Sequence, residues 1–234
     1  MIPLAYCSGV LISPTVLLTA AHACVTQSVL VCFDVGPLTL LLDNGQLQFQ
    51  GVTSVFTGTA YPNPAFTMNV DGKSGLPYTL SNDVAVVILD QPVPSTVVDQ
   101  FGALPEIGVV DTLPVNTAVE LVGYGVQQQT APKKAGIENS WIGLVMRNSA
   151  QAKTLSTNFA WSDEFLRCSA NPGHGRGGIA FGDSGGPVFL GQTNQILALN
   201  SYVTNPNCVG VSYHTRLDTT AVQTWINQEV SIHG

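Results

Sequence analysis

Phe181-Gly182-Asp183-Ser184-Gly185-Gly186-Pro187, read together with Thr19-Ala20-Ala21-His22 far upstream, decides how this chain folds. A serine between glycines can present its hydroxyl and the adjacent backbone N–H groups without cover from neighbouring side chains. Serine alone is a weak nucleophile, so a histidine elsewhere in the chain matters as much, because imidazole is the base best suited to neutral pH. A third group must hold the imidazole. Ser81-Asn82-Asp83-Val84-Ala85-Val86-Val87 offers Asp83 at the mouth of an apolar, β-branched run. The chain order is therefore His22, Asp83, Ser184.

Gly182 to Gly186 also fits the G-x-S-x-G pattern of a nucleophile elbow, but in that α/β fold the serine comes first and the histidine last. Here the serine comes last, and His, Asp, Ser is the chymotrypsin order. Four further stretches agree with it. Cys7-Ser8-Gly9-Val10-Leu11-Ile12-Ser13-Pro14 through Leu18-Thr19-Ala20-Ala21-His22 resembles the family's CGGSLIS…LTAAHC, and Asn82-Asp83-Val84-Ala85 its NDIA. Gly123-Tyr124-Gly125 resembles GWG, and Tyr213-His214-Thr215-Arg216-Leu217 with Trp225-Ile226 resembles YTRV…WI. The chain thus resembles the chymotrypsin/trypsin-like serine proteases over nearly all its length.

The resemblance implies an all-β fold of two packed antiparallel β-barrels with a C-terminal helix. Residues 1–112 would carry His22 and Asp83, and residues 113–234 would carry Ser184. With only Met1 to Tyr6 ahead of Cys7, the first strand of the N-terminal barrel is expected to be missing. The implied function is a secreted serine endopeptidase. His22 would be the base, Asp83 its orienting carboxylate and Ser184 the nucleophile, with the N–H groups of Gly182 and Ser184 as oxyanion hole. Ser201 would support Asp83, and the backbone of Tyr202-Val203 would pair with an extended substrate. Gly178 falls at the base of the primary pocket, beside Phe181, and carries no charge, so a cationic substrate side chain would be desolvated without a partner. Val203 would shorten that pocket. His214 is either structural or a pocket residue, as histidines are in some acid-selective relatives. The implied partners are polypeptide substrates and protein protease inhibitors, acting on a monomer without metal or cofactor. The alternative function is a catalytically silent homologue serving as a binding or adhesion module.

Five cysteines, Cys7, Cys24, Cys32, Cys168 and Cys208, lack zinc-site spacing. The resemblance pairs Cys7 with Cys24 and, beside the nucleophile, Cys168 with Cys208. Cys32 is left over as a small buried hydrophobe. Bridges imply an oxidising, extracellular compartment. In relatives activated from zymogens a freed terminal ammonium meets the aspartate before the serine, here Asp183. Either the sequence is a fragment, or an internal base replaces that ammonium, with Arg176 and Arg147 as the candidates.

Composition sets the outer limits. Only 10% of the 234 residues are charged, and the formal charge is -7 with no basic cluster beyond Lys133-Lys134, so nucleic acid is not an expected partner. No apolar run reaches the ~18 residues that span a bilayer. Residues 1–24 mimic a signal peptide but lack a basic start and contain Cys7 and His22, so they are read as mature sequence.

Short β-branched runs broken by Gly, Pro, Asn and Asp predict strands at 10–18, 28–33, 38–42, 51–56 and 84–89, then at 119–122, 141–146, 187–190, 196–202 and 209–213. Residues 61–80 read as a long surface loop and 101–117 as the linker. One helix is expected near the end, capped by Asp218 or Thr219, with Val222, Trp225, Ile226 and Val230 forming its apolar stripe.

Overall fold

Val10 to Leu18 reads as one apolar run, but Ser13-Pro14 breaks it, and the run folds as a hairpin with Val10 opposite Leu18. The Ser13 hydroxyl accepts the Val16 N–H at 3.1 Å and closes the turn. The computed structural model describes residues 6–33, 39–43, 46–50, 54–129, 141–142, 146–155, 160–170 and 177–234.

The first half contains β1 (Val10–Leu11), β2 (Val16–Thr19), β3 (Ser28–Cys32), β4 (Thr39–Asp43), β5 (Gln46–Gln50), β6 (Val55–Pro62), β7 (Thr67–Val70), β8 (Pro77–Ser81) and β9 (Ala85–Leu89). Its main sheet runs in the order β1-β2-β9-β6-β3. After a short helix α1 (Val109–Thr112) come β10 (Ala118–Gly123), β11 (Gln128–Gln129), β12 (Trp141–Ile142), β13 (Asn148–Lys153), β14 (Phe165–Ser169), β15 (Pro187–Leu190), β16 (Ile196–Val203), β17 (Val211–Arg216) and helix α2 (Thr220–His233). The second main sheet runs β13-β10-β15-β16-β17-β14. Both sheets are antiparallel and curl into half-barrels, as expected of the chymotrypsin fold.

Several expectations need correction. The stretch read as a surface loop, 61–80, holds the end of β6 and the hairpin β7–β8, with Met68 opposite Leu80. Its strands lack the alternating apolar pattern because β7 is exposed along its whole length and only Leu80 of β8 is buried. β13 and β14 were not anticipated. Asn148–Lys153 is largely polar, and its pairing with β10, not its composition, makes it a strand. The linker contains α1.

A core shared by the two sheets holds them together. Val16, Leu18, Val84 and Val86 of the first half meet Ile196 and Leu199 of β16, with Leu217, Val222 and Ile226 closing over them. Helix α2 therefore packs its apolar stripe back against the first sheet, and its last turn stacks His233 on Tyr61 with ring centroids 4.0 Å apart. Thr219 caps this helix, its hydroxyl accepting the Val222 N–H at 3.3 Å. Asp218, the other candidate cap, is taken by Arg216. The buried guanidinium donates from Nε and Nη2 to both Asp218 oxygens at 2.8 and 2.9 Å. It also donates to both Asp111 oxygens and to the Ser162 carbonyl, so all five N–H bonds are used. Asp218 in turn accepts the Val110 N–H at 2.8 Å, which ties α1 to the end of β17.

Candidate active site

The antiparallel register of β2 and β9 places Thr19 opposite Ala85, so the residues just beyond both strand ends come together. After Thr19 the chain enters a 3₁₀ turn, Ala21–Ala23, that carries His22. Before Ala85, Asn82 adopts φ +53, a left-handed conformation that asparagine tolerates better than most residues. Asp83 is then fully buried and turned toward His22. Its Oδ2 lies 2.8 Å from His22 Nδ1, and its Oδ1 accepts the His22 backbone N–H at 2.9 Å. The Ser201 hydroxyl donates to Asp83 Oδ2 at 2.5 Å. Three donors on one carboxylate fix the imidazole, placing the proton on Nδ1 and leaving Nε2 as the free acceptor.

Ser184 reaches this cluster from the loop between residues 177 and 187. Its hydroxyl donates to the Ser201 carbonyl at 3.4 Å, a weak bond, and none to His22 is formed. Gly182 takes φ +99, and a Cβ there would lie 2.7 Å from the Tyr6 ring. Gly185 takes φ +81, and a Cβ there would meet the Ser8 carbonyl oxygen at 2.5 Å. Both positions need glycine. Among the described residues, no hydrogen bond occupies the Gly182 or the Ser184 N–H.

Of the two arginines expected beside Asp183, one can be placed. Arg147 is exposed and forms no ion pair with it, and Arg176 lies outside the described residues. Asp183 instead accepts the Gly125 N–H and the Ala180 N–H, each at 2.8 Å. Burial nevertheless pushes its carboxyl up to about 6. Any side chain at Gly123 or Gly125 would run into this carboxylate, which is the physical content of Gly123-Tyr124-Gly125.

On the substrate side, β15 covers β16 only as far as Leu199, while Tyr202 and Val203 pair with Tyr213 and Ser212 on β17. Their other edge carries no strand among the described residues. The Tyr202 ring stacks on Tyr213 at 4.6 Å and meets Phe165 edge-on at 5.7 Å. Val203 is buried with Ile179 and Cys208. Gly178 packs against Ala170, where a Cβ would approach to 2.8 Å, and Phe181 is partly exposed.

The four cysteines assigned to bridges are thiols in this structure. Burial and then the neighbouring Cys24 push Cys7 up to about 12, while burial and then Asp83 push Cys24 up to about 11. Cys168 and Cys208 both join the second core. His174 lies outside the described residues.

Sequence reasoning missed a buried polar chain behind the nucleophile. Asn200 Nδ2 donates to the Val122 carbonyl at 3.2 Å, which turns Oδ1 toward His214 Nδ1 at 3.0 Å. That oxygen can only accept, so His214 carries its proton on Nδ1 and its Nε2 accepts a hydrogen bond from the Ser212 hydroxyl at 2.9 Å. His214 is wholly buried, and burial drives its value from 6.5 down to about 3. Between those values the unfolded chain holds the extra proton, so this contribution to stability is complete above pH 6.5 and lost as pH falls toward 3. Asp183 acts in the opposite sense. Its folded value near 6 exceeds the ordinary 3.8, so its contribution is complete below 3.8 and lost as pH rises through 6. The two slopes, each about 1.4 kcal/mol per pH unit at most, largely cancel between pH 4 and 6. His214→Gln should gain stability relative to wild type as the solution is acidified across that window, and Asp183→Asn should lose it. Urea unfolding at several pH values measures both, and parallel curves for the three proteins would refute the assignment.

A protein-family model described as Trypsin matches residues 4–226. The chain belongs to the trypsin family. Among solved structures, this trypsin-family chain is similar to an HL collagenase at 20% identity and TM-score 0.65, covering 97% of this chain and 87% of that one. It is also similar to human heparin binding protein at 19% identity and TM-score 0.61, covering 98% and 87%. No curated protein matches. Neighbours bearing such different names share the fold, so activity must be argued from the site.

Proposed function

We propose that the protein is a secreted serine endopeptidase that cleaves polypeptides through an acyl-enzyme. The observation that carries this reading is the bonded series His22–Asp83–Ser201 with the Ser184 hydroxyl on the Ser201 carbonyl. On this reading the Ser184 hydroxyl exchanges its weak 3.4 Å bond for one to His22 when substrate binds. Ser184 Oγ then attacks the substrate carbonyl carbon as His22 Nε2 takes its proton, and Asp83 stabilises the imidazolium. The N–H groups of Gly182 and Ser184 receive the developing oxyanion. His22 returns the proton to the leaving amine. Water then repeats the sequence on the ester, restoring the serine hydroxyl and releasing the new carboxylate. An extended substrate adds as a strand along Tyr202–Val203. Labelling with a fluorophosphonate tests the reading: the wild type should react and Ser184→Ala should not, and labelling of both alike would refute it.

The substrate preference follows from the absence of an acidic group at Gly178 and from the bulk of Val203. Cleavage after small or medium apolar side chains is expected in a peptide-library digest, and dominant cleavage after Arg or Lys would overturn it. For secretion, Cys7–Cys24 and Cys168–Cys208 are the assigned bridges, to be checked by peptide mapping without reductant. A second reading, a silent homologue that binds without cleaving, is favoured by two observations: the missing Ser184–His22 bond and the absence of a cation beside Asp183 among the described residues. The labelling experiment separates the two.

A further inference from the structure

Ser8 stands where the resemblance has a glycine, and it bonds the nucleophile loop through both its side chain and its backbone. Its hydroxyl donates to the Gly182 carbonyl at 2.9 Å and accepts the Tyr124 N–H at 2.9 Å. Its backbone N–H donates to the Ser184 carbonyl at 2.8 Å. Its own carbonyl accepts the Thr19 hydroxyl at 2.7 Å. The residue is buried. One serine from the first half thus holds the peptide groups on both sides of the 183–184 peptide, the one that carries the Ser184 N–H. Gly182 and Gly185 both have positive φ, so the loop has glycine's freedom at its two bends and needs outside contacts to hold one shape.

We propose that the Ser8 hydroxyl is a positioning residue that holds the Gly182 to Ser184 backbone with its two N–H groups aimed at the oxyanion. This rests on the endopeptidase reading. The hydroxyl touches no reacting atom. It acts by fixing the Gly182 carbonyl, and the Tyr124 N–H that it accepts locks its rotation, so that the proton points one way. The series Tyr124 N–H, Ser8 hydroxyl, Gly182 carbonyl also couples the loop around Asp183 to the oxyanion donors. Tyr124 sits between the two glycines that contact the Asp183 carboxylate.

Oxyanion donors contribute in the transition state more than in the ground state, so the expected signature is selective. Ser8→Ala should lower kcat roughly tenfold to a hundredfold with KM little changed, less than the loss of a donor itself. Affinity for a peptide boronic acid, whose tetrahedral adduct places an oxygen in the hole, should fall in step with kcat. Affinity for the same peptide as a carboxamide should not. Ser8→Gly, which has the family's own residue and so keeps the backbone contacts, should show the same loss. A merely structural role would raise KM and weaken both ligands together, or leave kcat intact, and either result overturns the proposal. A wild type that neither hydrolyses peptides nor binds the boronate overturns the endopeptidase reading and this role with it. An active wild type with unchanged Ser8 variants overturns the role of Ser8 alone.

Discussion

Ser184→Ala is expected to lower turnover by about 10⁶, the scale seen when a triad's nucleophile is removed. On the proposed endopeptidase reading, the residue supplies the atom that forms the new bond, and no neighbouring hydroxyl can replace it. The Ser201 hydroxyl belongs to the same cluster, but it is committed to Asp83 at 2.5 Å in a buried position. Adding His22→Ala to Ser184→Ala should cost little more, because a base without its nucleophile has no proton to take. Single and double variants assayed on one peptide substrate provide the measurement. Additive losses would show that His22 and Ser184 do not act as a unit.

The second large effect is on stability. Arg216→Met should destabilise the fold by about 3–5 kcal/mol, because it leaves Asp218 as a buried charge with only the Val110 N–H as partner. Asp111 contributes less to this figure, since its carboxylate is largely exposed and water can take over from the guanidinium. The double variant Arg216→Met, Asp218→Leu should recover much of the loss by removing the stranded charge as well. Urea unfolding of the three proteins tests it, and a single variant within about 1 kcal/mol of wild type would count against the buried network.

Much of the candidate site was legible in the chain because its tight turns and close approaches constrain residue type within short stretches. Gly182 and Gly185 have positive φ, Asn82 has a left-handed turn to make before Asp83, and Gly125 must admit a carboxylate. Each requirement is local, so each leaves a mark in the sequence. Strands such as β9, Ala85–Leu89, were legible for a similar reason, since a buried strand must be apolar throughout.

What the sequence left open depends on partners distant along the chain. β13 is polar and becomes a strand only because β10 offers its edge, and β7–β8 is exposed and pairs only with itself. The choice of Thr219 over Asp218 as helix cap required knowing that Arg216 and Val110 claim Asp218. Of the two arginines expected at Asp183, Arg147 lies at the surface, and two backbone N–H groups bond the carboxylate. The sequence by itself determined the residues of the candidate site and their order. Only the tertiary structure decided which hydrogen bonds they make, among them the Ser8 hydroxyl on Gly182 and His214 behind Asn200. Composition and spacing specify which groups a segment carries, whereas a hydrogen bond also needs a second group within about 3 Å, and that is set by packing.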